Sequence, residues 1–264
     1  MSGLHRSPDF GYSVEFAQHR QYVPGDSPKH IDWSVYAKTD RFLTKLYEAE
    51  SNMRTFFVLD SSSSMYFPNE NIRKWERTVQ VITLIASLLQ KQRDALGLFE
   101  VNDADAQFFE SSNKEENIQL LLHNIRGLQE RRIGNEVFLN HLETLHTRLP
   151  KRSQILVFTD IYHQDVTALV QSLSKFKHAN HHVRLMLMYS EQFEIDGKGL
   201  AGHQVVDFET GKKTYLTEEE VRRYTNFCKD QLSTLEFTSR GAGISIDALN
   251  VDEDPVVLLR KLLV

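Results

Sequence analysis

Two runs of residues constrain this chain most: Thr55-Phe-Phe-Val-Leu-Asp60 and Gln154-Ile-Leu-Val-Phe-Thr-Asp160. Each is β-rich, and each ends in an aspartate. The first is too apolar to have a wet face, so it reads as a strand covered on both sides. After Glu50, short runs of this kind alternate with longer segments of helical period, the pattern of an α/β fold built on a mostly parallel central sheet flanked by helices.

The intervening segments fit. Arg73 to Gln92 carries Trp75, Val79, Ile82, Ile85, Ala86 and Leu89 at spacings of three and four, which predicts a helix. Asp94 to Val101 and Ala106 to Glu110 form a hairpin across Asn102-Asp103-Ala104-Asp105, and a hairpin belongs at a sheet edge. Helices follow around Leu120, Leu121, Ile125 and Leu128, and from Val137 to Leu149, where Pro150 stops the second. Asp165 to Lys177 is a further helix and His182 to Tyr189 a buried strand. Val205 to Phe208 and Thr214 to Leu216 pair as a small hairpin. A helix starts at Thr217 with Glu218, Glu219 and Glu220 complementing its dipole, and ends at Gly241 and Gly243. Ile244 to Leu249 is the last strand and Pro255 opens the last helix.

Composition excludes several classes. With 264 residues, 41% hydrophobic and 25% charged, the chain can bury a full core, so disorder, collagen and coiled coil are poor readings. Its 31 Lys+Arg against 36 Asp+Glu leave a net charge of -5, which lacks the basic field that binds nucleic acid. The single cysteine, Cys228, cannot form an intrachain disulfide or a multi-cysteine metal site, and fits a reducing compartment. MSGLHRSPDFGYS has no signal-peptide core, and the longest apolar stretch, Val81 to Leu89, falls short of the ~20 residues of a membrane span. A cytoplasmic location without a direct membrane span is the expectation.

The carboxyl ends of strands in an open α/β sheet are where ligands collect. Asp60 is followed by Ser61-Ser62-Ser63-Ser64-Met65, so Asp60, Ser62 and Ser64 form an Asp-x-Ser-x-Ser pattern, and Asp160 ends the other strand. A small hard dication such as Mg²⁺ or Mn²⁺ wants oxygen ligands. The two hydroxyls at alternate positions would bind it directly, with Asp60 and Asp160 holding its waters. Such a site binds; it has no evident nucleophile or base, and no histidine is fixed near the loop by the sequence alone.

The pattern resembles the metal-ion-dependent adhesion site of von Willebrand factor A domains. The segments Gly11-Tyr-Ser-Val-Glu-Phe16, Arg20-Gln-Tyr-Val-Pro-Gly-Asp26, Ile31-Asp-Trp33, Tyr36-Ala-Lys-Thr39 and Tyr47-Glu-Ala-Glu50 are similar to the signature of the bacterial domain-of-unknown-function 58 family, in which an arm leads into a von Willebrand A-like domain. The resemblance spans the chain and is clear again at Phe158-Thr-Asp160. It implies a Rossmann-like A-type domain over residues 51–264, an N-terminal arm over residues 1–50 packed on it, no established enzymatic activity, and a MoxR-type AAA+ ATPase as partner, with membrane-anchored A-domain proteins as further partners. The pattern departs at Ile133-Gly134-Asn135-Glu136, where A domains carry a threonine; Glu136 then becomes a candidate ligand. Lysine also replaces the usual arginine at Lys29 and Lys38, and Ser27 replaces an acid.

In the arm, Pro24-Gly25 reads as a turn. Arg20, Asp26, Asp32, Lys38, Lys45, Glu48 and Glu50 alternate in sign around Tyr22, Trp33 and Tyr36. Two readings stand: an arm stapled to the domain, or a docking surface for the ATPase through Asp26, Asp32 and Trp33. Gly197-Lys-Gly-Leu-Ala-Gly202 spells a dinucleotide fingerprint in the wrong context, with a strand and no helix after it. His178, His181 and His182 read as a helix end, and Cys228 as core. The function expected is a non-enzymatic protein-interaction module with an adhesion-type metal site. The alternatives are a metal-dependent hydrolase using the same loop, and a structural A-fold with a degenerate site.

Overall fold

The structure, a computed structural model, describes residues 16–47, 53–67, 74–101, 106–127, 135–163, 165–206 and 213–263. The chain divides into two units, Met1–Asn52 and Met53–Val264.

In the first unit, β1 (Phe16–Gln21) and β2 (Leu43–Tyr47) pair antiparallel, with α1 (Trp33–Thr39) between them in sequence. Asp32 caps α1, its carboxylate accepting the Ser34 and Val35 amides at 3.0 and 3.2 Å. Gly25 supplies the positive φ, +111°, expected of the Pro24-Gly25 turn.

The second unit holds β3 (Arg54–Leu59), α2 (Lys74–Lys91), β4 (Ala95–Val101), β5 (Ala106–Ser112), α3 (Glu115–Gly127), α4 (Asn135–Arg148), β6 (Gln154–Thr159) and α5 (Val166–His178). After these come β7 (His182–Tyr189), β8 (Gln204–Val206), β9 (Lys213–Tyr215), α6 (Glu218–Gly241), β10 (Ser245–Asn250) and α7 (Pro255–Leu262). Six of the strands make one sheet in the order β10-β7-β6-β3-β4-β5, parallel except for the β4–β5 edge. From the β5 edge this is the doubly wound order 3-2-1-4-5-6. The hairpin expected at the edge is there, though its turn, residues 102–105, lies outside the described residues.

Alternation along the strands divides the core. Phe57, Leu59, Leu156 and Phe158 pack with Val81, Ile82 and Ala86 of α2, Leu121 and Ile125 of α3, and Leu258 of α7. Val58, Ile155, Val157 and Leu185 pack with Phe138 of α4, Leu169 of α5, and Cys228 and Leu235 of α6 on the other side. Each sheet face is therefore covered by three helices, and this is why β3 and β6 read as unbroken apolar runs. α6 begins as its sequence predicts, with Thr217 and Glu220 forming a capping box, and Pro255 occupies the first turn of α7. No helix opens at Gly197–Gly202; Gly197, Gly199 and Gly202 all take positive φ, and the Gly202 amide donates to the Leu216 carbonyl. Among the described residues no helix is long and apolar enough to cross a membrane.

Candidate functional site

The strand order reverses between β3 and β6, and Asp60 and Asp160 follow the carboxyl ends of these two neighbours. Reversal points of this kind open the crevice where doubly wound sheets bind ligands. The Asp60 amide still donates to the Phe158 carbonyl at 3.0 Å, which ties the two loops together as they leave the sheet.

Every oxygen of the two carboxylates accepts a hydrogen bond from the protein. Asp60 Oδ1 accepts the Ser62 amide at 2.9 Å and Oδ2 accepts the Thr159 hydroxyl at 2.5 Å. Asp160 Oδ1 accepts the Tyr162 amide at 3.0 Å and Oδ2 accepts the Lys74 ammonium at 2.9 Å. The Ser62 and Ser64 hydroxyls bond each other at 3.1 Å. The Thr159 hydroxyl that donates to Asp60 also bonds His163 Nε2 at 2.7 Å. His163 Nδ1 is buried and makes no hydrogen bond among the described residues.

Four of these residues were not singled out from the sequence: Lys74, Glu194, Thr159 and His163. Lys74 is the first residue of α2, and its side chain is wholly buried. Its ammonium donates to Asp160 and, at 2.8 Å, to Glu194 Oε1, and lies 4.6 Å from the centre of the Tyr162 ring. Glu194 belongs to the π-helical turn Glu191–Ile195 that follows β7, and its second oxygen accepts the Ser190 amide at 2.6 Å. The site therefore draws on three consecutive parallel strands, β3, β6 and β7. The histidine that could not be placed near the loop from sequence alone is His163: ligand-capable atoms of Asp60, Asp160 and His163 lie within 4.8 Å of one another. The signal in the sequence is weak: His163 follows Asp160 by three residues and Glu194 is a carboxylate just past a third apolar strand, and neither position is periodic.

The neighbouring charges separate the two aspartates. Burial, reinforced by the nearby Asp160 charge, pushes Asp60 above the ordinary carboxylate value. Burial works the same way on Asp160, but the Lys74 ammonium beside it outweighs this and holds it below that value. Burial would lower Lys74; Asp160 and Glu194 together hold it above the usual lysine value instead. The centre is a buried acidic cluster with a charged lysine inside it.

The hydroxyl and carboxylate oxygens have the chemistry a hard dication wants. Each carboxylate oxygen already accepts one hydrogen bond, however, and an ion on Asp160 would share that carboxylate with an ammonium. Unit charges ~4 Å apart at an effective dielectric of ~20 interact by about 4 kcal/mol, so a dication and the ammonium would repel by roughly twice that. As arranged, these residues do not fit a resident divalent ion while Lys74 stays in place.

The other candidates lie elsewhere. Glu136 falls in the first turn of α4, and its side chain is outside the described residues, as is the loop 131–134. Asp26, Asp32 and Trp33 belong to the first unit. Asp26 is paired with Arg20 through both carboxylate oxygens at 2.8 Å. Asp32, besides capping α1, meets His19 at 2.9 Å and Lys45 at 3.4 Å. Trp33 is 57% exposed and sits edge-on to Tyr36 and Phe42, which stack on each other. His181 accepts the Ser153 amide and His178 bonds the Ser174 carbonyl, consistent with a helix end.

The sequence profile of the family described as "Protein of unknown function DUF58" matches residues 18–232. The chain belongs to the DUF58 family. Among solved structures, this DUF58 chain is similar to the conserved hypothetical protein BatB from Bacteroides thetaiotaomicron, at 10% identity over 79% of this chain and 95% of that one, with a TM-score of 0.48. It is also similar to the SpRpn10 VWA domain, at 11% identity over 80% and 93% of the two chains, TM-score 0.45. A third is the von Willebrand factor type A protein from Catenulispora acidiphila, at 8% identity over 83% of this chain and 42% of that one, TM-score 0.44. No curated protein matches the chain.

Proposed function

We propose that this DUF58 chain is a non-enzymatic protein-interaction module that engages partners through the loops at the carboxyl edge of its sheet, working beside a MoxR-type AAA+ ATPase in assembling or remodelling other proteins. The observation that carries it is the convergence of Asp60, Ser62, Ser64 and Asp160 at the reversal point, with Ser64 the member of that set that is only half-buried. Ser64 is the group a partner's side chain can reach. Its hydroxyl already bonds that of buried Ser62, so a partner contact is passed to the loop beside Asp60.

The version of this reading in which Mg²⁺ or Mn²⁺ bridges to the partner would use Asp60, Asp160 and the two serine hydroxyls, and requires Lys74 to leave Asp160. The hydrolase alternative gains His163, but Asp60, Thr159 and His163 are at most 1% exposed, and a base sealed from substrate cannot serve a reaction.

The test is affinity purification of the tagged chain from its native cell, comparing wild type with Ser64→Arg, which blocks the edge without entering the core. Recovery of a MoxR-type ATPase or its client with wild type and its loss with Ser64→Arg is the expected result. Identical recovery from both would contradict a role for this edge.

A further inference from the structure

The position of Lys74 is unusual on every count. It begins α2, where the helix dipole disfavours a cation. It is also fully buried, where an ammonium is expensive unless paired and hydrogen-bonded. Lysine is almost never found wholly buried without such partners. Here it has them: one N–H to Asp160, one to Glu194, and the faces of Tyr162 and Phe67 at 4.6 and 5.7 Å from the nitrogen. The three donors of an ammonium, spread between two carboxylates and an aromatic face, are all used. The anchor holding it is itself braced. Tyr162, whose amide fixes Asp160 and whose ring lies under the ammonium, is tied by its hydroxyl to Tyr224 of α6.

We propose that Lys74 is the built-in cation of this site: its ammonium takes the place of a divalent ion at the reversal point, so the edge holds Ser62, Ser64 and Asp160 in a binding-ready arrangement without metal. Asp160 needs a positive partner to stay ionised in a dry interior, and the chain supplies one from α2. Glu194 then balances the lysine and orients it. The hydroxyl pair, which a dication would otherwise draw together, is instead held by its own hydrogen bond at 3.1 Å. This inference deepens the interaction reading above and rests on it for its functional meaning, but its test does not use a partner.

The experiment is titration of Mn²⁺ into the chelator-treated full chain, followed by calorimetry and by the Mn²⁺ electron paramagnetic resonance signal, with melting temperature recorded alongside. Wild type is expected to show no saturable binding at millimolar Mn²⁺ and the same melting temperature with and without chelator. Lys74→Met, which keeps the length of the side chain and removes its charge, is expected to gain one Mn²⁺ site per chain, at least tenfold tighter than any wild-type binding. Lys74→Met/Asp160→Asn is expected to lose that site again. Saturable binding of one Mn²⁺ by wild type that disappears in Asp160→Asn would overturn the proposal, as would a folded Lys74→Met chain that binds no more Mn²⁺ than wild type. Should Lys74→Met fail to fold, the wild-type titration decides alone. A failed pull-down with an intact Mn²⁺ result would instead count against the interaction reading and leave the lysine assignment standing.

Discussion

The Lys74 ammonium and the Asp160 carboxylate, 86 residues apart in the chain, meet at 2.9 Å with both side chains fully buried. Removing one member of such a pair strands the other in a dry interior, which typically costs about 3–5 kcal/mol. Lys74→Ala is therefore expected to lower the urea midpoint by an amount equivalent to that loss. Asp160→Asn, which leaves Glu194 to neutralise the lysine, should cost less. Equilibrium denaturation of the two variants at constant slope checks the order.

Thr159 links Asp60 to His163 through one hydroxyl. Thr159→Val keeps the volume and removes both bonds, leaving a buried carboxylate and a buried imidazole each short of a partner. An unsatisfied buried group costs about 1–3 kcal/mol, so a loss of about 2–4 kcal/mol is expected, with Thr159→Ser close to wild type. A Thr159→Val chain as stable as wild type would contradict this role of the hydroxyl.

Cys228 is pushed up to about 12, chiefly by burial and then by the Glu194 charge. A raised thiol favours the protonated form in the folded state. Its contribution to stability is complete below 9.0, the value of the unfolded thiol, and is lost as pH rises from there through about 12. The melting temperature of wild type should thus fall more steeply than that of Cys228→Ala between pH 9 and 10. The native thiol should also resist an aromatic disulfide reagent at pH 8 and react fully in urea.

In the first unit, the docking and stapling readings can now be separated by residue. The His19 hydrogen bond, outweighing burial, holds Asp32 down to about 2, and the α1 amides and Lys45 add to it. The stability Asp32 contributes is present above its ordinary value of 3.8 and lost as pH falls through about 2. Asp32→Lys should therefore accelerate amide exchange at Ser34 and Val35 and lower partner recovery and melting temperature together. Trp33→Ala removes an exposed ring and should lower partner recovery at unchanged melting temperature. A Trp33→Ala chain that recovers its partner in full would remove Trp33 from the docking surface.

Much of the sheet was legible because its strands are buried on both faces. Periodicity in Phe56 to Leu59, Ile155 to Phe158 and Val183 to Met188 carries the same information as the burial that results from it. Thr217 and Pro255 mark their helix starts through local hydrogen bonding and fixed φ, which need no tertiary context. Lys74 was not legible in this way. It stands one residue before Trp75 at the head of an amphipathic helix, where a lysine ordinarily reaches water, and only the carboxylates that follow β6 and β7, Asp160 and Glu194, draw its side chain inward. Thr159 and His163 were hidden for a related reason: a hydroxyl and an imidazole flanking Asp160 have no periodic signature, and their meaning depends on Asp60 arriving from the neighbouring strand. Glu194 belongs to a single π-helical turn, a conformation that sequence spacing does not announce.

The most direct measurement is a crystal structure of the full chain grown in magnesium-containing solution. The account predicts Lys74 Nζ between Asp160 and Glu194, the Ser62 hydroxyl bonded to that of Ser64, and no ion on Asp160. An octahedral Mg²⁺ held by Ser62, Ser64 and either aspartate, with Lys74 turned away, would contradict it.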